Sequence, residues 1–210
     1  MRIEYTWDII PKKTPIIEKK CNRCDNNQFI CSEKFRINSN KKMSDVWLIY
    51  KCTHCHSTWN MDILTRMNIS RIEPSLFSLF QENNVDLAWQ YAFDKSIHQM
   101  NKVRANGNVE IDIIDSATNI FHSNEKMVVI SIHSKYQLAV PIRKILKQKL
   151  CLSTNQLDQV YRCGACVIHH DKNNELSRKI GFGCILELNI EMIKNLQNAL
   201  SHHHDEYSIT

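Results

Sequence analysis

Two closely spaced pairs of cysteines are the residues of this sequence best suited to chemistry. Each pair has the spacing Cys-x-x-Cys, 27 residues separate the pairs, and the four residues are Cys21, Cys24, Cys52 and Cys55. A two-residue gap lets both thiolates of a pair reach one ion at about 2.3 Å, and two such pairs complete a closed tetrahedral site of the structural zinc type. We therefore predict one structural zinc ion bound by these four cysteines.

Other interpretations of the same cysteines remain open at this point. They could be two unrelated buried pairs or a redox dithiol. Cys31, His54 and His56 are further candidate ligands, one of which could replace a cysteine. Sites of this kind often have a glycine with positive φ directly after each pair, so the sequence predicts a positive φ at Asp25 and at His56.

The segment that joins the two pairs has the pattern of a β-hairpin. Apolar side chains alternate along residues 29–37, with Glu33 as the exception, and a polar turn at residues 39–42 precedes an apolar strand at residues 46–50. A hairpin would bring the two pairs together at one end. We therefore predict a zinc ribbon within residues 1–70.

The sequence of the middle of the chain, residues 71–137, predicts helices and strands and contains no catalytic motif. Proline and asparagine signals predict helices at residues 75–82 and 85–102. Alternating apolar residues predict strands at residues 109–113 and 127–133. Acidic and basic residues nearly cancel here, which is typical of a solvated charged face.

Residues 138–200 predict a helix, a loop, a second helix and two strands. Ser153 is a suitable N-cap for the second helix, and Gly164 supplies the positive φ that ends it. Residues 138–180 contain eight lysines and arginines but only three aspartates and glutamates. Such a local excess favours contact with the phosphates of structured RNA. The predicted RNA-contact residues are Arg143, Lys144, Lys147 and Arg162.

This order of elements resembles the RNA-binding domain first seen in ribosomal small-subunit protein S-four. That family has a leucine-serine turn between two helices, a glycine after the second helix, and a closing strand. The corresponding positions in this sequence are Ile142, Leu146, Leu152, Ser153, Gln156, Gly164 and residues 183–186. The sequence departs from the family at Pro141, Thr154 and Cys184, where the family has two arginines and an aspartate. The resemblance therefore implies the fold more than phosphate binding.

The other cysteines of this region admit two further roles. Cys163 and Cys166 form a third Cys-x-x-Cys, which favours a thiol redox enzyme only if a helix N-terminus lowers a thiol pKa. Cys163 is instead predicted at a helix C-terminus, where the dipole disfavours a thiolate. A second metal site would draw on Cys151, Cys163, Cys166, Cys184 and the pair His169-His170. Without a further signal, we expect these cysteines to be small apolar residues buried in the core.

Composition and length exclude several classes of protein. The chain has 210 residues, of which 43% are hydrophobic and 23% charged, so it is globular in composition. Its four glycines are too scattered for a nucleotide-binding loop, which excludes a nucleotide cofactor of that kind. No apolar run reaches the length of a membrane span, and residues 1–8 do not have the apolar stretch of a signal peptide. We therefore expect a cytoplasmic protein without a membrane partner.

Three segments of the first half resemble a bacterial family known as domain of unknown function 1062. They are residues 31–38, residues 45–52 and residues 58–60, and Trp7 and Pro11 fit the same family. The resemblance implies one architecture for the whole chain and implies no activity.

Taken together, these patterns predict an α+β protein with a polar tail at residues 201–210. The predicted function is a non-catalytic, zinc-stabilised nucleic-acid-binding protein for structured or ribosome-associated RNA. The alternative is a zinc-stabilised protein-interaction or regulatory module, with an unknown protein partner.

Overall fold

The computed structural model describes residues 3–116, 126–169 and 175–196, and it confirms the α+β class. The chain forms two units. Residues 11–110 form one of them, here called the inserted unit, and residues 1–10 and 111–210 form the other, here called the split unit. The predicted tail at residues 201–210 lies outside the described residues.

The inserted unit is built on a five-stranded antiparallel sheet. Its elements are β2 (Ile17–Glu18), β3 (Gln28–Asn40), β4 (Met43–Cys52), β5 (Thr58–Asn68), α1 (Pro74–Gln81), α2 (Val85–Phe93), α3 (Lys95–Met100) and β6 (Arg104–Ala105). The strand order is β5-β4-β3-β2-β6. The ends of the unit meet where the Lys12 amide donates to the Glu110 carbonyl at 2.9 Å.

The hairpin predicted between the two cysteine pairs is present as β3 and β4. Its register runs from Phe29 opposite Cys52 to Asn40 opposite Met43, and Lys41 in the turn has a φ of 57°. The register shifts between Cys31 and Phe35, around Glu33, which has a φ of 59°. This β-bulge explains why Glu33 interrupts the apolar alternation.

The prediction of one helix over residues 85–102 is wrong, because the structure has two helices there, α2 and α3. Asp94 ends α2 and begins α3. Its backbone is extended, and its Oδ1 accepts hydrogen bonds from the amides of Ser96 at 2.7 Å and Ile97 at 3.4 Å. An aspartate in this position competes with helix continuation because its side chain satisfies the free amides of a new first turn.

The split unit contains a second five-stranded sheet. Its elements are β1 (Ile3–Pro11), β7 (Ile111–Asp115), β8 (Met127–Pro141), α4 (Ile142–Leu150), α5 (Thr154–Arg162), β9 (Cys166–His169) and β10 (Lys179–Asn189). The strand order is β7-β1-β8-β10-β9. β1 pairs in parallel with β8, and β10 pairs antiparallel with both β8 and β9. Residues 190–196 are helical.

The C-terminal helices form as the sequence predicts. The buried face of α4 consists of Ile142, Ile145, Leu146 and Leu150. Ser153 caps α5 in a capping box with Gln156, and Gly164 follows α5 with a φ of 75°. β8 is longer than the predicted strand at residues 127–133 and runs directly into α4.

The unit boundaries differ from the three consecutive segments that the sequence suggests. The expected boundary near residue 138 lies inside β8, and the expected boundary near residue 70 lies inside the inserted unit. The reason is the parallel pairing of β1 with β8, from Ile3 opposite Val128 to Asp8 opposite His133. This pairing assigns the N-terminal strand to the C-terminal half of the chain.

No helix of the described residues has the length and apolar character needed to cross a membrane.

Candidate metal centre

The four predicted ligands lie in two turns at one end of the sheet of the inserted unit. Residues 21–24, the first knuckle, lie between β2 and β3. Residues 52–55, the second knuckle, begin at the last residue of β4 and continue into the turn before β5. Phe29 pairs with Cys52, so the start of β3 and the end of β4 bring the knuckles together.

The cysteine sulfurs have the spacing of a single tetrahedral ion site. Cys21 Sγ lies 3.6 Å from Cys55 Sγ, and Cys24 Sγ lies 3.7 Å from Cys52 Sγ. All four sulfurs lie within 4.8 Å of one another. Four sulfurs bound tetrahedrally at about 2.3 Å from one ion would be about 3.8 Å apart. The donor set and its geometry therefore fit one metal ion.

Both knuckles are closed by the same backbone hydrogen bond. The Cys21 amide donates to the Asn26 carbonyl at 2.9 Å, and the Cys52 amide donates to the Ser57 carbonyl at 2.9 Å. In each case the acceptor lies five residues after the donor. The positive φ predicted after the second knuckle is confirmed at His56, which has a φ of 57°, whereas Asp25 does not have one. The two turns thus share this closing hydrogen bond, but the second has a further one, from the His56 amide to the Cys52 carbonyl at 3.1 Å.

Hydrogen-bond donors point at the two sulfurs that open the knuckles. The Ser57 hydroxyl, 3.2 Å from Cys21 Sγ, and the backbone amide of Arg23 lower the pKa of the Cys21 thiol. Burial on its own would raise the pKa of Cys52. Donation from the Asn26 side chain at 3.3 Å and from nearby backbone amides outweighs burial and lowers this pKa to about 6. These donors stabilise the thiolate form, which is the form that binds metal.

The pKa of the Cys24 thiol is shifted in the opposite direction. The backbone amide of Asn26 lowers its pKa, but desolvation and the three neighbouring sulfurs outweigh that donor and raise the pKa of Cys24 to about 12. Four thiolates this close repel one another unless a cation lies among them. A divalent ion at the centre would remove that repulsion.

The centre is continuous with the apolar core of the inserted unit. Cys21 is 4% exposed and Cys52 is fully buried at 0%, whereas Cys24 is half-buried and Cys55 is exposed. Cys21 and Cys52 belong to the same buried cluster as Ile17, Phe29 and Tyr50. Any change in the position of these two sulfurs would therefore disturb the packing of the core.

The three spare ligand candidates are not part of the centre. Among the described residues, the only cluster of three or more cysteine, histidine or acidic side chains close enough to hold an ion consists of the four knuckle cysteines. His54 and His56 are exposed. Cys31 accepts from the Glu33 amide at 3.4 Å, and burial raises its pKa to about 12.

Sequence reasoning did not find Asn26, which joins the two knuckles. Its Nδ2 lies 3.3 Å from Cys52 Sγ, 2.8 Å from Thr53 Oγ1 and 3.0 Å from the Gln28 carbonyl. One amide group thus orients a ligand and ties the first turn to the second. An asparagine two positions after a Cys-x-x-Cys pair is the only signal in the sequence, and on its own it predicts a turn.

Replacing Asn26 with alanine is expected to weaken metal binding by about 10- to 100-fold, which is the usual effect of losing an outer-shell partner. The measurement is competition for the metal against a chromophoric chelator. Asn22→Ala, at an exposed position within the first knuckle, is the matched control and should leave the affinity unchanged. Equal affinities of the two variants would contradict the role given to Asn26.

The four predicted RNA-contact residues lie on α4 and α5, and contacts of Arg143 and Lys147 join the two helices. Arg143 forms an ion pair with Asp158 at 2.8 Å, and the Lys147 ammonium donates to Thr154 Oγ1 at 2.8 Å. Both contacts join α4 to α5. Lys144 and Arg162 are exposed.

The remaining cysteines do not assemble into a second cluster among the described residues, and His170 lies outside them. Cys163 is the residue after α5, and its thiol donates to the Val160 carbonyl at 3.3 Å. Cys166 begins β9 and is 2% exposed, and burial raises its pKa to about 12. Cys151 is exposed at the end of α4, with a φ of 51°.

Comparison with known families gives one result. A family model described as Protein of unknown function (DUF1062) matches residues 37–172, which is more than half of the chain. No curated protein and no solved structure matches significantly. The description of that family names neither a metal site nor an RNA-binding fold, so the zinc-ribbon and S-four-like assignments stay predictions. The resemblance read from the sequence is confirmed: the chain belongs to the DUF1062 family.

Proposed function

We propose that this chain is a non-catalytic, zinc-stabilised RNA-binding protein. The observation that carries the zinc assignment is the set of four cysteine sulfurs within 4.8 Å of one another. A tetrahedral set of four thiolates is typical of zinc or iron, and zinc is the usual ion of structural sites with two Cys-x-x-Cys knuckles. Zinc would fix both knuckles to the same end of the sheet.

A structural rather than catalytic ion is supported by the number of ligands. Four cysteines fill a tetrahedral ion and leave no position for water or substrate. Cys21 and Cys52 are also buried in the core, where a reactant would not reach them. The metal would therefore contribute to stability and not to a reaction.

Binding to RNA is supported by the charge of the α4 and α5 region. Lysine and arginine side chains bind phosphates through charge, with little information about base sequence. Lys144 and Arg162 are exposed, whereas Arg143 and Lys147 are only partly exposed, so Lys144 and Arg162 are the better candidates for phosphate contact. The RNA partner in this proposal is structured RNA, recognised mainly by shape and charge.

A protein-interaction module is the second candidate, and exposed apolar side chains favour it. Phe182 is 63% exposed and Ile185 is 46% exposed on β10, and Val167 on the neighbouring β9 is also exposed. β10 pairs with β9 from Ile185 opposite His169 to Leu188 opposite Cys166, so Ile185 and Val167 lie two register positions apart. Neighbouring apolar side chains of this kind are common at protein interfaces.

The double variant Lys144→Gln with Arg162→Gln is expected to bind a labelled RNA hairpin about tenfold more weakly than the unaltered chain, with a shallower salt dependence. Fluorescence anisotropy across a salt series measures both quantities. Lys34→Gln with Lys42→Gln removes the same charge from exposed positions of the inserted unit and serves as the control. An unaltered chain that binds no RNA at low salt would contradict the proposal and favour the interaction module.

A further inference from the structure

The two knuckles share a basic pattern that the zinc site does not require. The first reads Lys20-Cys-Asn-Arg23-Cys and the second reads Lys51-Cys-Thr-His54-Cys. A lysine precedes the first cysteine of each pair, and a basic side chain precedes the second cysteine. Ligation itself uses only the cysteines, so it does not account for the four basic positions.

The two knuckles share the hydrogen bond that closes them. The amide of each first cysteine donates to the carbonyl five residues later, at 2.9 Å in both knuckles. Each knuckle contributes two sulfurs to the same cluster. Lys20 and Lys51 therefore hold the same position in the two knuckles, directly before the buried first cysteine, and Arg23 and His54 hold the position directly before the second cysteine.

The cations at these positions face solvent. Lys20, Arg23 and Lys51, here called the knuckle surface, are all exposed, and within the described ranges none of them forms an ion pair. Asp25 is the one carboxylate within residues 19–27 and 51–57. Arg143 differs from them, because its guanidinium is paired with Asp158.

We propose that the knuckle surface binds the phosphodiester backbone of a nucleic acid, and this inference rests on the proposed RNA-binding function. Three permanent charges around a rigid centre match a chain of phosphates better than they match a single small anion, since they are spread over two separate turns. The partner supplied by the proposed function is RNA. The same chemistry would hold DNA, so the test includes both.

The competing explanation is that the cations serve the metal centre itself. A zinc ion with four thiolates has a formal charge of −2, and nearby cations would offset it. On that account, removing the cations would weaken zinc binding and leave nucleic-acid binding unchanged. Removing the cations should therefore lower the affinity for nucleic acid on the first explanation and the affinity for zinc on the second.

The test uses the full chain with its metal and the triple variant Lys20→Gln, Arg23→Gln and Lys51→Gln. The probes are labelled single-stranded RNA and DNA of one sequence, and an RNA hairpin, titrated by anisotropy over a range of salt. The expected result is at least tenfold weaker RNA binding and a salt-dependence slope smaller by about 2, which corresponds to three lost contacts at roughly 0.7 each. Zinc content, measured on the same samples, should stay at that of the unaltered chain.

The matched control is Lys34→Gln with Arg36→Gln and Lys42→Gln, three exposed cations on the β3–β4 hairpin outside both knuckles. It should bind RNA like the unaltered chain. A parallel loss of DNA affinity in the triple variant would support the phosphate contact and add DNA as a ligand. RNA affinity that is unchanged in the triple variant would overturn the inference while the proposed function stands. Binding of neither nucleic acid by the unaltered chain would overturn both.

Discussion

Replacing Cys52 with serine is expected to unfold the inserted unit. Cys52 is fully buried, and its sulfur lies 3.7 Å from Cys24 Sγ and 3.3 Å from the Asn26 amide. Structural zinc sites contribute about 10 to 16 kcal/mol of binding free energy, which is comparable to the whole stability of a typical domain, about 5 to 15 kcal/mol. Loss of the metal should therefore remove the fold of this unit, measured as loss of near-ultraviolet circular dichroism and rapid proteolysis within residues 11–110.

Cys151→Ser is the matched control for that variant. Cys151 is an exposed cysteine outside the cluster, so its replacement should leave metal content and unfolding temperature unchanged. A Cys52→Ser chain with the unfolding temperature and protease resistance of the unaltered chain would contradict the structural role of the centre.

Replacing Gly183 with alanine is expected to destabilise the split unit by about 2 to 4 kcal/mol, the range of severe steric or backbone strain. Gly183 lies at a register shift between β10 and β8 and has a φ of 152°. A Cβ atom there would lie 2.1 Å from the Ile132 carbonyl oxygen, far inside contact distance. Since that oxygen belongs to the backbone of β8, the two strands would have to separate. Chemical denaturation of the two chains measures the difference.

Gly181→Ala is the control in the same strand. Gly181 has a φ of 61°, but a Cβ atom there meets nothing within 4 Å. Its replacement should cost only the backbone strain of a left-handed residue, about 1 to 2 kcal/mol. Equal losses of stability for the two alanines would show that the close approach at Ile132 is not what requires glycine at position 183.

Local patterns predicted the elements that carry the candidate metal site. The doubled Cys-x-x-Cys spacing, the alternation along residues 29–37 and the apolar run at residues 46–50 are short-range signals, and the hairpin that they indicate is present as β3 and β4. The same holds for α4 and α5, where the helical period and the cap at Ser153 lie within a few residues of each other. Such features depend on neighbours in the sequence, which is why they can be found without a structure.

Long-range pairing could not be predicted in the same way. β1 pairs with β8 across more than a hundred residues, and alternation in a strand shows which face is buried but not which strand lies beside it. For that reason the expected boundaries near residues 70 and 138 do not coincide with those of the two units. Asn26 was missed because its partners Cys52 and Thr53 lie far along the chain.

One local signal, the helix cap at Asp94, competes with the predicted helix at residues 85–102. The sequence Asp94-Lys95-Ser96 contains a helix cap, although the sequence pattern predicts one continuous helix over residues 85–102. In the structure the Asp94 carboxylate accepts from the Ser96 amide at 2.7 Å and begins α3. A capping side chain thus outweighed helical periodicity at this position.

Side-chain contacts distinguish the cations of α4 and α5 in a way that the sequence does not show. Arg143 and Lys147 were predicted RNA contacts, but their contacts with Asp158 and Thr154 join two helices. Lysine and arginine have the same appearance in a sequence whether they face solvent or a carboxylate. For the proposed knuckle surface, the repeated basic pattern is visible in the sequence, and the structure adds that both turns share one closing hydrogen bond and expose these side chains.

The metal content of the purified chain tests the central claim most directly. Native mass spectrometry combined with elemental analysis should find one zinc ion per chain, and chelation of that ion should unfold residues 11–110. A metal-free chain whose inserted unit is stably folded would contradict the account.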